Sequence, residues 1–321
     1  MDVLSDVIAI VRTGRPRSAR LRWHAPWGQS FPAALGSAGF QVVLQGTCWL
    51  IPTGGAPPVA LGVGDVVFFP HGHGYGLADS PTTPLAPPAC DPYGDAALHA
   101  SASTGHPAGD LAAVTLCGGY RLDRTRSHPL LGDLPDMVRL PARLGDRTEL
   151  HAAVELLAAE LNRPRLGANT LVPSLLDMLL LYILRAWFDD HPQDGTGTGW
   201  AAALADPAIA TALQDIHHDL AHPWTVASLA ASAGLSRAAF AKRFTTMTGQ
   251  PPLSYLTWWR MTVAAQLLRT SDAPLHQVAA QTGYSSESAF ANAFKRKYAI
   301  APGRYRRHHG PARATTPPHQ S

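Results

Sequence analysis

The sequence is poor in cysteine and in charged residues. Its 321 residues contain three cysteines, and no two of them form a Cys-x-x-Cys pair. An odd number without paired spacing argues against both a zinc knuckle and an extracellular disulfide framework. Charged residues make up 15% of the chain and hydrophobic residues 46%. A chain of this length and composition can bury two hydrophobic cores, so we expect two domains with a connecting section.

Targeting signals are also missing from the sequence. The N-terminal segment has no basic start followed by an apolar run and a cleavage site, which predicts a cytoplasmic chain that is not secreted. Residues 171–188 approach the length of a membrane span, but Pro173, Asp177 and Arg185 interrupt them. No basic cluster follows this stretch, so we predict a buried helix and no membrane partner.

A pattern of apolar helix, glycine turn and second helix occurs twice near the C-terminus, about 49 residues apart. Glycine permits the positive φ of a tight turn between helices, and a serine shortly after it can cap the second helix. The residues Leu229, Ala230, Gly234, Leu235 and Ser236 match Val278, Ala279, Gly283, Tyr284 and Ser285. Both copies therefore have the features of a helix-turn-helix motif.

The second helix of each copy carries two phenylalanines four residues apart, Phe240 and Phe244 in one copy and Phe290 and Phe294 in the other. This spacing directs both rings into the core and leaves the opposite helix face free. The alternative is a small helical bundle without a DNA role, because amphipathic helix pairs are common. Two copies in register favour the DNA-binding interpretation.

Charge is distributed unevenly along the chain. Residues 200–321 hold 12 Lys+Arg against 5 Asp+Glu, a net charge of +7, whereas residues 1–199 hold 14 against 18, a net charge of −4. The basic part of the chain is therefore the part expected to meet DNA phosphates.

Over about 100 residues the C-terminal part resembles the AraC/XylS family of bacterial transcription regulators. In that family the DNA-binding domain carries two helix-turn-helix units joined by a long linker helix. Residues 252–269 look like the linker helix, and residues 283–306 follow the family signature through Pro302 and Arg306. The resemblance implies that the second helix of each unit enters a major groove, the two lying on one face of the DNA about 34 Å apart.

The positions of residues in these helices indicate which of them would contact DNA. Arg237 and Lys242 can reach guanine or phosphate, Asn292 suits adenine and Glu287 suits cytosine, whereas alanines offer only methyl contacts to thymine. The complete set is Ser236, Arg237, Ala238, Ala241 and Lys242 in the first unit and Ser286, Glu287, Ser288, Ala291, Asn292, Lys295 and Arg296 in the second. The residues expected to hold phosphates are Lys295, Arg296, Lys297 and Arg304.

A helical hairpin is predicted ahead of the DNA-binding domain, from residues 148–162 and 171–188, because apolar residues recur there at helical spacing. In relatives such helices carry the dimer contact; the alternative is that they pack on their own N-terminal domain. Residues 191–199 have the composition of a flexible linker. Asp206 and Pro207 then open the first helix of the DNA-binding domain as N-cap and N1 residues.

The N-terminal part reads as short apolar runs separated by glycine and proline, which is typical of a small antiparallel barrel. Residues 61–73 resemble the cupin segment in which a Gly-Asp turn starts a strand that ends at proline and histidine. Residues 116–123 and 128–135 look like the rest of the cupin-type sensor domain found in one AraC subgroup. The clearest predicted strands cover residues 18–24, 40–51, 58–61, 66–70 and 111–116.

Metal-dependent cupins need a His-x-His with a carboxylate shortly after it and a further histidine on a later strand. His71 and His73 have the first spacing, but Asp79 is the nearest carboxylate. Two imidazoles on one face of a strand could share a metal with a third histidine, of which the candidates are His24, His99 and His106. The alternative is a set of locally hydrogen-bonded histidines in a glycine-rich rim loop.

The three cysteines are candidates for a redox switch. Cys48 and Cys117 lie in predicted strands, where buried cysteines behave as small hydrophobic residues. Cys90 lies in a proline-rich loop and is expected to be exposed, although the adjacent Asp91 disfavours its thiolate. The redox hypothesis therefore places the switch at Cys90 and one partner cysteine.

The expected fold is an α+β multidomain chain with a cupin-like antiparallel β-barrel, a helical hairpin linker and an all-α domain with two helix-turn-helix units. The predicted boundaries are a sensor domain at 1–145, the hairpin and linker at 146–199, the DNA-binding domain at 200–308 and a disordered tail at 309–321.

The expected function is a sequence-specific DNA-binding transcription regulator, an activator by family habit, controlled by an unidentified small-molecule or redox effector. Its expected partners are promoter DNA, RNA polymerase and a second copy of the chain, with no cofactor and no enzyme activity. Two alternatives stay open: a metal-dependent cupin enzyme with an appended DNA-binding domain, and a constitutive architectural DNA-binding protein whose barrel only dimerises.

Overall fold

In a computed structural model of the protein, the described residues are 2–87, 99–106, 109–122, 128–142, 148–191 and 198–310. The chain divides into two compact units: an N-terminal unit, Val11–Pro192, and a C-terminal unit that combines Gln193–Ser321 with Met1–Ile10. The predicted sensor domain begins at residue 1, whereas the N-terminal unit begins at Val11. The reason is that helix α1 (Val3–Val11), all but its last residue, packs with the C-terminal unit.

Two β-sheets form the N-terminal unit. The first has the strand order β10-β6-β3-β9-β1-β8 and the second the order β2-β7-β4-β5. The strands are β1 (Arg12–His24), β2 (Gly28–Phe31), β3 (Ser37–Gly46), β4 (Cys48–Pro52), β5 (Val59–Leu61), β6 (Val66–Phe69), β7 (Tyr75–Ala78), β8 (His99–Gly105), β9 (Leu111–Leu122) and β10 (Val138–Leu140). The helices of this unit are α2 (Pro129–Gly132), α3 (Thr148–Asn162) and α4 (Ala168–Asp190).

The strands depart from the predicted pattern in several places: β2, β7, β8 and β10 are not among the predicted strands, and β1 and β9 are longer than predicted. The run predicted over 40–51 is divided into β3 and β4 after Gly46, which has a φ of +73° and lies so close to Ala112 that a side chain would meet its carbonyl oxygen. Strand β8 pairs with β1 in parallel, so the first sheet is not antiparallel throughout. Small residues replace the alternating apolar residues of an ordinary strand in β8, which is why the sequence pattern does not predict it.

A hydrophobic core fills the space between the two sheets. Trp23 stacks on Trp27 with ring centroids 4.2 Å apart, and the indole of Trp23 donates to Thr115 Oγ1 at 2.8 Å. Both sheets contribute to the same cluster, which includes Val43, Val67, Phe69 and Ala113 from the first sheet and Cys48, Leu50, Leu61 and Leu77 from the second.

Helices α3 and α4 form the predicted hairpin and belong to the N-terminal unit. Helix α3 has the predicted bounds, and α4 extends the prediction by a few residues at each end. The buried hydroxyl of Tyr120 on β9 donates to the carbonyl oxygen of Leu176 at 2.6 Å, which ties α4 to the sheet. Helix α4 is long and apolar enough to cross a membrane, and 44% of its most apolar window is buried. Its contact with the sheet agrees with the alternative that the hairpin packs on its own N-terminal domain.

The described part of the C-terminal unit is helical apart from its turns. Its helices after α1 are α5 (Gly199–Ala205), α6 (Pro207–His218), α7 (Val226–Ser232), α8 (Arg237–Thr248), α9 (Pro252–Thr270), α10 (Leu275–Gln281), α11 (Glu287–Tyr298) and α12 (Pro302–His309). Helix α9 is the predicted linker helix. The final helix includes the first residue of the predicted tail, whose residues from 311 onward lie outside the described part of the chain.

Helix α1 joins the C-terminal unit through a buried polar chain. His217 on α6 has both ring nitrogens engaged, Nδ1 at 3.1 Å from Asp6 Oδ2 and Nε2 at 2.6 Å from the Tyr255 hydroxyl. Burial lowers the pKa of His217 below its ordinary value, and the hydrogen bond to Asp6 opposes this shift. A neutral ring then donates from Nδ1 to the carboxylate and accepts the Tyr255 proton at Nε2. Asp6 thereby satisfies a donor that would otherwise be buried without a partner.

Candidate nucleic-acid interface

The first helix-turn-helix unit consists of α7 and α8. Thr225 and Ser228 form a capping box at the start of α7. Gly234 adopts a φ of +67° in the turn, a conformation that glycine tolerates without strain. Ser236 then caps α8 by accepting from the amide of Ala239 at 3.3 Å, as predicted.

Helix α8 separates an apolar face from an exposed one. Phe240 and Phe244 are fully buried, with ring centroids 5.6 Å apart. Arg243 pairs with Asp206, which is itself buried and caps α6, so α8 is fixed to the helix before the motif. The candidate DNA residues of α8 are exposed, apart from a half-buried alanine: Arg237, Ala238, Ala241 and Lys242.

The second unit repeats this geometry with a turn that is one residue longer. Gly283 has a φ of +75°, and the buried phenylalanines of α11 match those of α8. Ser286 is the N-cap of α11 and accepts from the amide of Ala289 at 3.2 Å. The predicted match of Ser236 to Ser285 is therefore wrong by one residue, because α11 begins four residues after its turn glycine whereas α8 begins three after Gly234.

Helix α11 presents a polar and basic exposed face. Its last turn carries three basic residues, whose charges suit the negative end of the helix dipole. Ala291 is half-buried. The exposed candidate residues of this helix are Glu287, Ser288, Asn292, Lys295, Arg296 and Lys297. Most candidate DNA residues of each unit lie on the side of the helix away from its phenylalanines. Arg237, Glu287 and Lys297 are exceptions: each stands three residues from a buried phenylalanine and is exposed near an end of its helix.

The helix before the motif begins as predicted, but it is not the first of the domain. Asp206 accepts from the amides of Ala208 and Ile209 at 3.1 and 3.0 Å and so caps α6. Helix α5 precedes it and starts at Gly199, within the predicted linker. The buried ring of Trp200 lies 5.5 Å from that of Tyr255, which explains why this stretch is helical.

The histidines predicted as metal candidates are engaged locally. His71 Nε2 lies 2.9 Å from the carbonyl oxygen of Leu134, and His73 Nδ1 lies 3.4 Å from Asp136 Oδ1. Among the described residues no three His, Cys, Asp or Glu side chains converge in a way that could hold a metal ion. The geometry agrees with locally hydrogen-bonded histidines.

The cysteines differ in environment. Cys48 is buried in the core between the sheets, and burial, with the nearby Asp65 charge, raises the pKa of its thiol to about 12. Such a thiol forms little thiolate and reacts poorly with oxidants. Cys117 is half-buried on β9, and Cys90 lies outside the described residues.

Two of the buried polar atoms of the N-terminal unit that lack a hydrogen-bond partner belong to residues that were not predicted as site residues. Trp27 Nε1 and Gln41 Oε1 have no hydrogen-bond partner among the described residues, although both side chains are buried. The amide nitrogen of Gln41 donates to the hydroxyl of Tyr75 at 2.9 Å. A glutamine inside the apolar run of β3 is the sequence signal that could have drawn attention to this position.

Two family models match the chain. Residues 2–189 match a model described as cupin, and residues 229–308 match one described as helix-turn-helix domain. The first match covers more than half of the chain. A putative AraC-like transcription regulator of Streptomyces lividans is 36% identical over 96% of this chain and 99% of its own length.

The chain belongs to the AraC family of transcription regulators. A second AraC-like relative, from Streptomyces antibioticus, is 35% identical with the same coverage. The RCS-specific HTH-type transcriptional activator RclR of Escherichia coli is 31% identical over 60% of this chain and 66% of its own length. These AraC-family relatives are transcription regulators rather than enzymes. This chain is likewise a DNA-binding transcription regulator with an N-terminal cupin domain and helix-turn-helix units.

The shifted cap of α11 makes a direct prediction. Substitution Ser286→Ala removes the side chain that accepts from Ala289 N, so it should lower the free energy of unfolding by about 1 kcal/mol. Ser285→Ala is the matched control, because this neighbouring exposed serine does not cap the helix, and it should change stability by less than about 0.5 kcal/mol. Urea denaturation of the full chain measures the free energy of unfolding of both variants. A loss for Ser285→Ala as large as that for Ser286→Ala would contradict the assignment of the cap to Ser286.

Proposed function

We propose that this protein binds a bipartite promoter site with both helix-turn-helix units of one chain and activates transcription in the cytoplasm. The observation that carries the proposal is the repeated arrangement of α8 and α11. Each helix is capped by a serine, anchored by two buried phenylalanines and exposed on its opposite face. Helices placed in this way present side chains to the major groove.

The exposed residues divide into two roles in this proposal. Arg237, Lys242, Glu287 and Asn292 are long or polar enough to read base edges. Lys295 and Arg296, at the C-terminal end of α11, bind phosphates and set the register. Ser236 and Ser286 serve as caps whose amides and hydroxyls face the DNA backbone, and Ala238, Ser288 and Ala291 border the base edges.

Single substitutions separate base reading from phosphate binding. Asn292→Ala should relax the choice of base at one position by about 1–3 kcal/mol, because one bidentate contact is lost. Lys295→Ala should weaken binding to all sequences and lower the slope of log K against log salt by about 1. Arg22→Ala, an exposed arginine of the N-terminal unit, is the charge-matched control.

The measurement is quantitative footprinting on the DNA upstream of the gene at two salt concentrations. Two protected segments one helical turn apart are expected for the wild type. Protection of a single segment, or identical behaviour of the Asn292 and Lys295 variants, would contradict the bipartite proposal.

The N-terminal unit is proposed to sense the controlling signal between its two sheets. A small molecule with one hydrogen-bond donor and one acceptor would satisfy Gln41 Oε1 and Trp27 Nε1, which lack partners in the described structure. The aromatic rings of Phe31, Tyr75 and Phe69 stack in the same core, with centroids 4.9 and 4.0 Å apart. Buried polar atoms that meet no protein partner cost free energy unless a ligand or water satisfies them.

A redox signal is the competing chemistry, and the cysteines test it. The raised pKa of Cys48 supports a small molecule rather than an oxidant as the signal. We expect hydrogen peroxide to leave the footprint and the promoter activity of a reporter unchanged. A response that disappears when Cys48, Cys90 and Cys117 are all replaced by alanine would establish the redox signal instead.

A homodimer formed through the helical hairpin completes the proposal, with RNA polymerase as the partner that an activator contacts at the promoter. One face of α4 packs on the sheet, but Leu171 on this helix and Leu156 on α3 remain about half exposed. Leu175, Met178 and Tyr182 continue the stripe of α4 at helical spacing and are only half-buried. Apolar stripes of this kind commonly mark interfaces.

The dimer is tested by adding charge to the stripe. Leu171→Asp combined with Leu156→Asp should raise the dimer dissociation constant by at least about tenfold, because four carboxylates would enter an apolar interface. Leu166→Asp is the matched control, since Leu166 is fully exposed between α3 and α4. Sedimentation velocity measures the dissociation constant. An unchanged value for the double variant, or a monomeric wild type, would contradict the hairpin interface.

A further inference from the structure

Arg260 occupies the point of α9 where one hydrophobic core ends and the other begins. The residue before it, Trp259, stacks on His217 in the first core with centroids 4.2 Å apart. The residue after it, Met261, belongs to the core of the second helix-turn-helix unit. Arg260 itself is half-buried and lies in neither core. Its side chain is therefore available to contacts that involve both units.

On one side Arg260 binds the loop that leads into the first unit. Its Nε donates to the carbonyl oxygen of Leu220 at 3.0 Å, and Nη2 donates to that of His222 at 2.7 Å. The same loop is braced by Trp224, whose indole donates to the Asp219 carbonyl at 2.8 Å. The loop runs directly into Thr225, the cap of α7. Arg260 therefore links α9 to the segment that precedes the first unit.

On its other side the guanidinium lies against the turn of the second unit. A Cβ atom on Gly283 would stand 2.4 Å from Nη2 and 2.6 Å from Cζ of Arg260, much closer than such atoms can approach. A side chain at Gly283 would thus adopt an unfavourable positive φ and would also displace the guanidinium of Arg260. The equivalent Gly234 of the first unit has nearly the same φ, but a Cβ there would meet no described atom within 4 Å.

We propose that Arg260 is a positioning residue that fixes the distance between the two reading helices, and through it the half-site spacing that the protein accepts on DNA. The inference rests on the proposed bipartite reading by α8 and α11. Arginine can link the loop and the turn because its planar guanidinium donates to two carbonyl groups at once and packs flat against a backbone. Without it, α9 still joins the units, but the loop and the turn lose their common contact.

The test uses DNA duplexes recovered by in vitro selection with the wild-type full chain. One set carries both half-sites at the selected spacing or with one or two base pairs added or removed, and another carries each half-site alone. If the wild-type protein bound a lone half-site as tightly as the paired half-sites, the proposed bipartite binding would be wrong. This result is distinguishable from any failure of Arg260, because it needs no variant.

Arg260→Ala should bind the selected duplex about tenfold more weakly, because a loosened link lowers the effective concentration of the second unit at its half-site. Its preference for the selected spacing should shrink, while its affinity for each lone half-site stays within about twofold of wild type, since each unit keeps its own fold. The affinity and spacing preference of Arg260→Lys should lie between those of the wild type and Arg260→Ala, because lysine keeps the charge but lacks the planar guanidinium. An equal loss on lone half-sites, or an unchanged spacing preference, would overturn the proposal.

The turn glycines supply the matched controls. Gly283→Ala should lose spacing preference to the same extent as is expected for Arg260→Ala, because the new methyl group displaces the guanidinium. Gly234→Ala introduces similar backbone strain without touching Arg260, so it should weaken binding at all spacings alike. In the Arg260→Ala background, Gly283→Ala should cost no more affinity than Gly234→Ala does, as expected for two changes that break one contact. Additive losses from Gly283→Ala and Arg260→Ala would overturn the shared-contact mechanism.

Discussion

Helix α9 must fill two hydrophobic cores with one continuous run of side chains, and the geometry of the C-terminal unit depends on this constraint. Tyr255 and Trp259 lie in the first core, and Ala264, Ala265 and Leu268 lie in the second. The reading helices pack into the same cores through their buried phenylalanines. Because protein interiors are close-packed, a shift of α9 by one residue would disrupt both cores together. The two exposed reading faces are therefore held in one relation by packing, before any contact with DNA.

The buried chain of Asp6, His217 and Tyr255 adds a second constraint to the first core. Each polar atom along the chain has a partner of matching character, and removal of one would leave the others buried without compensation. Helix α1 ends at Val11 and β1 begins at Arg12, so the junction between the two units at residues 10 and 11 contains no spacer. The other junction, at residues 192 and 193, falls in a stretch of flexible composition. The chain thus passes between the two units twice, after Ile10 and after Pro192.

Local patterns predicted those parts of the fold that local physics determines. The bounds of α3, the cap at Asp206 and the buried faces of α8 and α11 follow from helical spacing and capping chemistry. The patterns failed where a residue acts through distant partners. The small side chains of β8 form a strand only because β1 lies beside it. Nothing in the spacing of Gly283 and Arg260 shows that one makes room for the other, because their contact depends on how α9 crosses the turn.

The proposed recognition of bases by α8 and α11 also differs between the two half-sites. Helix α8 exposes Ala238 where α11 exposes Ser288, while Lys242 stands in the place of Asn292. A methyl group can recognise thymine only by apolar contact, whereas a serine hydroxyl can form a hydrogen bond with a base edge. Selectivity at this position of the first half-site then depends on how rigidly α8 is held. The ion pair of Arg243 with the buried Asp206 fixes α8 to α6, so a buried carboxylate outside the motif supports the proposed base choice of α8.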